Sequence, residues 1–312
     1  MNLRPLIFET LAFFSLFNHP LTLLELRERL FSSLPVDLES LSTFLEEELK
    51  KGTIKEANGF FFLNKDGCDG KMRSQREMWQ ALKMRQAVKA GRFLSWTPFV
   101  KLAAVCNTLG LSAAQEDSDI DFFLVARTGR IWTARFLSVL ILFLSGLYRR
   151  PGRVKDRICP SFFVSEKSLN LESIALKRGE DIYLTYWIIQ LIPLIDRGNI
   201  LRKFWQANSW VGRQLANFRF ENKDNDLRKI KEGFWARSLR KFLEKILGGF
   251  WGDNLEKFLR FVQLLKMGKP AAGRFGDEIG VVVSEEMLKF HEEDRRAEYQ
   301  RRWLEVLKAF DV

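Results

Sequence analysis

The feature that most constrains the fold of this chain is the stretch 101–126, where two apolar runs enclose a small-residue turn and a polar patch. The first run is Leu102–Val105, and the second is Phe122–Val125. Short apolar runs bounded by turn residues are typical of buried strands. The stretch therefore predicts two strands, at 98–106 and 118–125, joined by a turn and a short helix.

Two aspartates stand at the head of the second strand. Alternation along a strand places Asp119 and Asp121 on one face and turns Ile120 into the core. Two carboxylates side by side repel each other, and a hard divalent cation such as Mg²⁺ relieves that repulsion. The alternative is a turn at the strand edge with two solvated aspartates, since Ser-Asp and Asp-Ser are ordinary turn sequences. The spacing alone leaves both interpretations open.

The whole stretch resembles the DNA polymerase β-like nucleotidyltransferase superfamily. Members carry a Gly-Ser turn after a first strand, a short spacer and an Asp-x-Asp strand, and the SDID part of that pattern is intact at 118–121. The Gly-Ser pair falls on Asn107 and Thr108, and a second alignment shifts the glycine to Gly110, followed by Ser112. Asn tolerates a positive φ better than most residues, and Thr still offers a hydroxyl.

The resemblance implies an enzyme that transfers a nucleoside monophosphate from a nucleoside triphosphate, bound with Mg²⁺ or Mn²⁺, to an acceptor hydroxyl on RNA, a protein or a small molecule. Asp119 and Asp121 are the implied catalytic residues and metal ligands. Members of the family place another acid on a later strand, and Glu166, at the end of the strand expected at 158–165, is the candidate third ligand. The implied nucleotide-binding residues are Asn107, Thr108, Ser112, Ser118, Arg127 and Arg130.

A second hypothesis is a catalytically degenerate nucleotidyltransferase scaffold that acts as a nucleic-acid-binding or regulatory protein. It accounts for the Asn107-Thr108 substitution and for the lack of an acid in the middle of the strand at 158–165. The net charge of +11 and the pI near 9.6 suit a polyanion, such as RNA, DNA, nucleotide phosphates or an anionic membrane.

Cysteine and histidine usage narrows the chemistry. The three cysteines are far apart and form no CxxC pair, which predicts thiols in a reducing compartment and no zinc site. With only two histidines, His19 and His291, a Ser/His/Asp or Cys/His catalytic arrangement is poorly supported. The N-terminal apolar segment lacks a small-residue cleavage site and runs into charged sequence, which predicts a cytoplasmic protein.

The most hydrophobic stretch is Phe136–Tyr148, between Arg135 and Arg149. It is shorter than the roughly 20 apolar residues that a membrane-spanning helix needs. We therefore expect a helix buried against a sheet and no stable membrane insertion. A peripheral membrane protein that uses this stretch, or the basic amphipathic helices at 234–267, is a third hypothesis.

Residues 1–66 have the element order of a winged helix, with three helices followed by a hairpin. Thr22 and Asp37 are the predicted N-caps of the second and third helices, and Asn58-Gly59 is a strong hairpin signal. The third helix, Leu38–Lys51, is rich in glutamate and would meet phosphates badly. We therefore expect an accessory role for this unit, such as contact with a protein partner.

Residues 67–178 and 179–312 complete the expected α+β chain. The first region is the nucleotidyltransferase-like domain, a basic leading helix and a small mixed sheet with helices on one face. The second region is expected to be mainly helical, with one helix kinked at Pro193 and a final helix capped by Ser284–Glu286. Its glycine-containing loop at 268–280 lacks the lysine and the spacing of a Walker loop.

Overall fold

The computed structural model describes residues 2–64, 70–176, 181–220, 229–266, 281–290 and 294–312. Helices and strands are interspersed along the described residues, and the strands form one three-stranded and one six-stranded sheet. The predicted α+β class is therefore confirmed. Among the described residues, no helix has the length and apolar character needed to cross a bilayer.

The N-terminal unit combines three helices with a small antiparallel sheet. The helices are α1 (Leu3–Ser15), α2 (Leu23–Glu28) and α3 (Leu38–Lys51), and the strands are β1 (Leu21–Thr22), β2 (Ile54–Ala57) and β3 (Phe60–Leu63). The strand order is β1-β3-β2. Thr22 forms a capping box with Glu25, and Asp37 caps α3, as predicted. Gly52 ends α3 with a φ of +73°, a conformation that glycine adopts without strain.

A long helix, α4 (Gly70–Leu94), leads from this unit into the central sheet. The six strands of that sheet are β4 (Val100–Val105), β5 (Ile120–Ala126), β6 (Ile158–Ser165), β7 (Ile192–Asp196), β8 (Val281–Val283) and β9 (Met287–Phe290). They lie in the order β7-β4-β5-β6-β9-β8. The pair β5–β6 is parallel and the other pairs are antiparallel, so the sheet is mixed.

Helices cover both faces of the central sheet, where one face was expected. The remaining helices are α5 (Asn107–Gly110), α6 (Ile131–Leu144), α7 (Ile182–Ile189), α8 (Ile200–Ala207), α9 (Phe234–Ile246), α10 (Phe250–Lys266) and α11 (Arg296–Lys308). Along β5, Phe122 and Leu124 pack in one core with α4 and α6. Phe123 and Val125 pack in a second core with α7, α8 and the N-terminal unit. Burial on both faces explains why this run is apolar throughout.

The predicted helix with a kink at Pro193 is wrong. Helix α7 ends at Ile189, and Pro193 lies in β7, which pairs with β4 at the edge of the sheet. An edge strand tolerates proline, because the missing N–H can face away from the neighbouring strand.

The predicted start of the final helix is also wrong. The residues after Ser284–Glu286 form β9, which pairs with β6, and α11 begins only at Arg296. Three strands of the central sheet thus come from the region 179–312. The loop at 268–280 and His291 lie outside the described residues.

Helix α11 packs against α1, so distant parts of the chain meet. The indole Nε1 of Trp303 donates to the carbonyl of Glu9 at 2.9 Å. The guanidinium of Arg4 donates to the carbonyl of Phe310 at 3.1 Å. These bonds tie the N-terminal unit to the segment that follows β9.

Candidate functional site

Asp119 and Asp121 meet Cys159 where β5 and β6 begin. Strand β5 starts at Ile120, and the parallel register places Asp121 beside Cys159. One ligand atom from each of the three side chains lies within 4.8 Å of the others. The two aspartates therefore lie together, as alternation along the strand predicts.

Burial and neighbouring charges set the protonation of this group. Loss of solvation, and then the nearby carboxylate of Asp119, raise the pKa of Asp121 to about 7. Burial also raises the pKa of Asp119, although Arg149 opposes the rise from 2.9 Å away. Burial raises the pKa of the Cys159 thiol to about 12, so this thiol keeps its proton at neutral pH. The group can thus accept a cation or a proton near neutral pH.

The turn after β4 brings Asn107 and Thr108 to the same cleft as the aspartates. Asn107 has a φ of +52°, a region where glycine is favoured and asparagine is tolerated. Its Oδ1 accepts a hydrogen bond from Nε1 of Trp187 at 2.8 Å. A glycine at this position could not make that bond, so the asparagine both adopts the turn and ties it to α7.

The cleft at the aspartates has a volume of about 750 Å³. One wall carries Asp119, Asp121 and the turn after β4, and the opposite wall comes from α7, β9 and α11. The polar and aromatic residues of this second wall are Tyr183, Trp187, Lys289, Phe290, Asp294, Arg295, Arg296 and Tyr299. The cleft is thus lined by cationic side chains as well as by the acidic pair, and its volume is large enough for a nucleotide-sized ligand.

Ion pairs hold the second wall in place. Arg296 is buried, and its guanidinium lies 2.8 Å from both Asp181 and Asp294. Lys289 Nζ lies 2.5 Å from Asp294. Burial lowers the pKa of Lys289, whereas hydrogen bonds from Arg296 and the charge of Lys289 hold the pKa of Asp294 well below its usual range despite burial. These ion pairs hold the charged groups of the second wall in fixed positions, and they link α7 to α11.

Lys83 of α4 positions the loop that carries Asp119. Its side chain is 1% exposed, and Nζ donates to the carbonyls of Glu116 and Ser118 at 3.0 and 2.7 Å. It also pairs with Asp156 at 2.8 Å. A buried ammonium with three acceptors fixes the backbone just before the acidic pair.

The structure does not bring Glu166 to the aspartates, which corrects its assignment as a third metal ligand. Glu166 follows β6, and its backbone N–H bonds to Ala126 at the far end of β5. Asp121 lies five residues back along that strand, about 16 Å at ~3.3 Å per residue. The position beside Asp121 belongs to Cys159 instead.

Arg127 and Arg130 also lie at the far end of β5, which corrects their assignment to the nucleotide. The backbone N–H of Arg127 bonds to the carbonyl of Phe99, and its guanidinium lies over that ring. Arg130 is buried, donates to the carbonyl of Leu247 at 3.0 Å and pairs with Asp253 at 2.6 Å. Both arginines stabilise the fold on the side away from the cleft.

Ser112 and Ser118 do not line the cleft either. The Ser112 backbone contacts His19 of the N-terminal unit, and the Ser118 hydroxyl donates to the carbonyl of Gln115 at 3.1 Å. Of the six predicted nucleotide-binding residues, Asn107 and Thr108 lie at the site.

Sequence reasoning missed Cys159, Arg149 and the second wall as site residues. Arg149 ends a run of apolar sequence, and its contacts with Asp119 at 2.9 Å and with Cys159 Sγ at 3.6 Å distinguish it from the other arginines of that loop. A signal for the second wall was available in two short apolar runs, at 281–283 and 287–290, separated by three polar residues. That pattern is typical of a hairpin, and charged residues follow it directly.

No family model, no curated protein and no solved structure matches this chain in the three comparisons made with known proteins.

Proposed function

We propose that this protein is a metal-dependent nucleotidyltransferase of the DNA polymerase β-like type. It would transfer a nucleoside monophosphate from a nucleoside triphosphate to an acceptor hydroxyl. The observation that supports this most is the convergence of Asp119 and Asp121 at a cleft that also holds the Asn107-Thr108 turn. The mixed sheet, with the acidic pair at the start of an inner strand, is compatible with the same proposal.

The donor set suits Mg²⁺ or Mn²⁺. Both ions prefer carboxylate oxygens, and Asp119 and Asp121 supply them within one 4.8 Å group. The protonated Cys159 thiol adds no charge to this group. An ion held there would neutralise phosphate charge and favour attack by the acceptor. Two carboxylates leave the other coordination positions to water and to the phosphates.

Residues on both walls of the cleft would contact the triphosphate. The hydroxyl of Thr108 and the backbone N–H groups of its turn would contact the terminal phosphates. Arg149, and Arg295 on the opposite wall, would supply positive charge, because arginine matches phosphate in a bidentate way. Tyr299 packs on Tyr183 with ring centroids 5.1 Å apart, and this pair forms an apolar part of the second wall.

We further propose that the N-terminal unit is a winged helix with an accessory role. Its helix α3 exposes Glu39, Glu46 and Glu47, which would repel nucleic acid and suit a basic protein partner.

Cys106 and Cys159 are both free thiols, which supports a place in the reducing cytoplasm.

The second candidate is a scaffold that binds nucleic acid or regulates without catalysis. Two observations favour it: Arg149 already pairs with Asp119, and a thiol stands beside Asp121 instead of a third carboxylate. In that case the arginine replaces the cation, and the cleft binds an anion without transferring it.

Calorimetric titration with each of the four ribonucleoside triphosphates, with and without Mg²⁺ or Mn²⁺, distinguishes the two candidates. The transferase predicts metal-dependent binding that is lost in Asp119→Ala/Asp121→Ala. Asp117→Ala is the matched control, since Asp117 lies in the same loop with an 89% exposed side chain. Triphosphate binding that is equally strong without metal, or unchanged in the double variant, would favour the degenerate scaffold.

A further inference from the structure

Helix α9 turns two charged residues, Arg240 and Glu244, toward the protein. Arg240 is buried, 2.7 Å from Glu232 and 2.8 Å from Glu244. Glu244 in turn accepts the backbone N–H of Phe99 at 3.0 Å, at the entry to β4. A helix on an ordinary globular protein does the opposite and buries its apolar stripe.

The outer face of α9 is apolar and exposed. Trp235, Leu239, Phe242 and Ile246 recur at helical spacing, and the Trp235 side chain is 75% exposed. The ionic inner face and the aromatic outer face are both on the same thirteen-residue helix. The apolar stripe of α9 is thus left without a partner in the part of the chain that the structure describes.

Helix α10 shares part of this arrangement: it packs Leu255, Leu259 and Leu264 in the core beside α6, and it leaves a second apolar stripe outside. Its Glu256 caps α6 by accepting the backbone N–H groups of Trp132 and Thr133 at 2.8 and 2.9 Å. Gln263, two turns on, bonds to the carbonyl of Trp132 at 3.1 Å. The exposed apolar residues of α10 are Phe250, Trp251, Phe258, Phe261, Val262 and Leu265.

An exposed surface of this kind indicates a partner. Eleven large apolar side chains on α9 and α10, Phe234 included, are exposed to water, and an exposed apolar patch of this size is typical of an interaction site.

The charges beside the apolar face decide what the partner is. Arg237, Lys241 and Lys245 recur every four residues along α9 and are exposed, and Lys257 and Lys266 are exposed on α10. A stripe of tryptophan and phenylalanine flanked by lysine and arginine is typical of helices that lie in the headgroup region of a membrane. A second copy of this chain is a poorer partner, because it would bring like charges together. Nucleic acid is also a poorer partner, because the leucine and isoleucine side chains of this face cannot stack on bases.

We propose that the outer faces of α9 and α10 dock the protein on an anionic lipid bilayer. The helices lie in the plane of the membrane surface. Trp235 and Trp251 enter the boundary between the headgroups and the acyl chains, and the lysines contact lipid phosphates. This mode of binding needs no spanning helix, and it does not depend on the activity proposed above.

The test is sedimentation of the 312-residue protein with vesicles. One set contains phosphatidylglycerol and phosphatidylcholine, and the other contains phosphatidylcholine alone. We expect binding to the anionic set that weakens with salt. Arg237→Glu/Lys241→Glu/Lys245→Glu should lower that binding at least about a hundredfold, at roughly fivefold for each charge removed. The matched control, Lys50→Glu/Lys55→Glu/Lys308→Glu, changes the same net charge at exposed sites elsewhere and should bind far better.

A second measurement separates insertion from simple charge attraction. Brominated lipids should quench tryptophan fluorescence in the wild type, and Trp235→Leu/Trp251→Leu should still bind while losing most of that quenching. Circular dichroism checks that each variant is folded. Equal vesicle binding of the two charge variants, or no vesicle binding by the wild type, would overturn the proposal. So would a stable dimer in sedimentation velocity that needs Trp235 and Trp251. A charge variant of α9 that loses RNA binding but keeps vesicle binding would overturn it as well.

Discussion

Arg149 lies 2.9 Å from Asp119, so a protein cation already occupies the edge of the acidic pair. The guanidinium remains about half exposed, whereas the Asp119 side chain is mostly covered. Any metal ion that binds the two aspartates must share Asp119 with this arginine. Any phosphate that reaches the ion can contact the same arginine from the cleft. Arg149 is therefore expected to affect metal and triphosphate in opposite directions.

Arg149→Ala should make Mn²⁺ bind more tightly in the absence of nucleotide, by a few-fold, because it removes a competing and repelling charge. The same change should weaken triphosphate binding about tenfold, through loss of one charge-assisted contact. Calorimetry measures both affinities. Arg153→Ala, an exposed arginine of the same loop, is the control. A variant that moves the two affinities in the same direction would show that Arg149 does not link the two ligands.

Asp121→Asn should stabilise the protein at pH 8 while removing metal binding. The folded-state pKa of Asp121 is about 7, above its ordinary value of 3.8, so the charged form destabilises the fold as pH rises through this window. The gain at pH 8 should be on the order of 2–4 kcal/mol, and it should vanish near pH 4 where the wild type is protonated. Urea unfolding at both pH values measures it, with Asp117→Asn as control. An equal effect at pH 4 and pH 8 would contradict the burial of an ionisable carboxyl here.

Stability should also fall as the solution is acidified below the ordinary pKa of histidine. Burial, and then Arg73, Arg29 and Arg76, lower the pKa of His19, so the folded protein holds this ring neutral. Protonation then favours the unfolded chain below pH ~6.5, by up to about 1.4 kcal/mol per pH unit. His19→Gln keeps an acceptor for Arg73 without a proton to gain, and its unfolding free energy should decline less between pH 6.5 and pH 5. Parallel curves for the two proteins would rule out His19 as the source.

Lys83→Met should cost about 2–4 kcal/mol of stability, because two carbonyls and Asp156 lose a buried donor. The folded variant should also bind Mn²⁺ more weakly, by more than a smaller fraction of folded protein explains, because the loop before Asp119 loses its support. Unfolding curves and Mn²⁺ titration below the unfolding transition separate the two effects. Lys89→Ala, on an exposed position of the same helix, should change neither. Unchanged metal affinity in folded Lys83→Met would mean that the loop is held by other contacts.

Local signals predicted much of the N-terminal unit and the first half of the sheet. The caps at Thr22 and Asp37 and the two strands around the acidic pair depend on neighbours in sequence, which a pattern shows directly. The edge strand β7 was missed because the sequence from Ile182 to Ile195 is apolar apart from Thr185 and Gln190. A run with so few polar interruptions has no clear period by which a helix and a strand can be told apart.

Two of the misplaced site residues, Glu166 and Arg127, share one cause. Arg127 follows β5 and Glu166 follows β6, and the direction of each strand decides at which end of the sheet they lie. Because β5 and β6 run parallel, both residues emerge at the end opposite Asp121. The second wall was missed for a related reason. Several of its residues lie in or after a hairpin that pairs with β6, more than 120 residues earlier in the chain, and no local pattern records that pairing.

The pairing of β6 with β9 also bears on how the chain is made. While the protein is being synthesised, β4, β5 and β6 emerge well before β9, with the whole of α7 to α10 between them. During that interval the apolar strand β6 is an open edge whose unpaired N–H and C=O groups can recruit another nascent chain. A chain of this design should therefore depend on chaperones during translation more than a sheet built from neighbouring hairpins would.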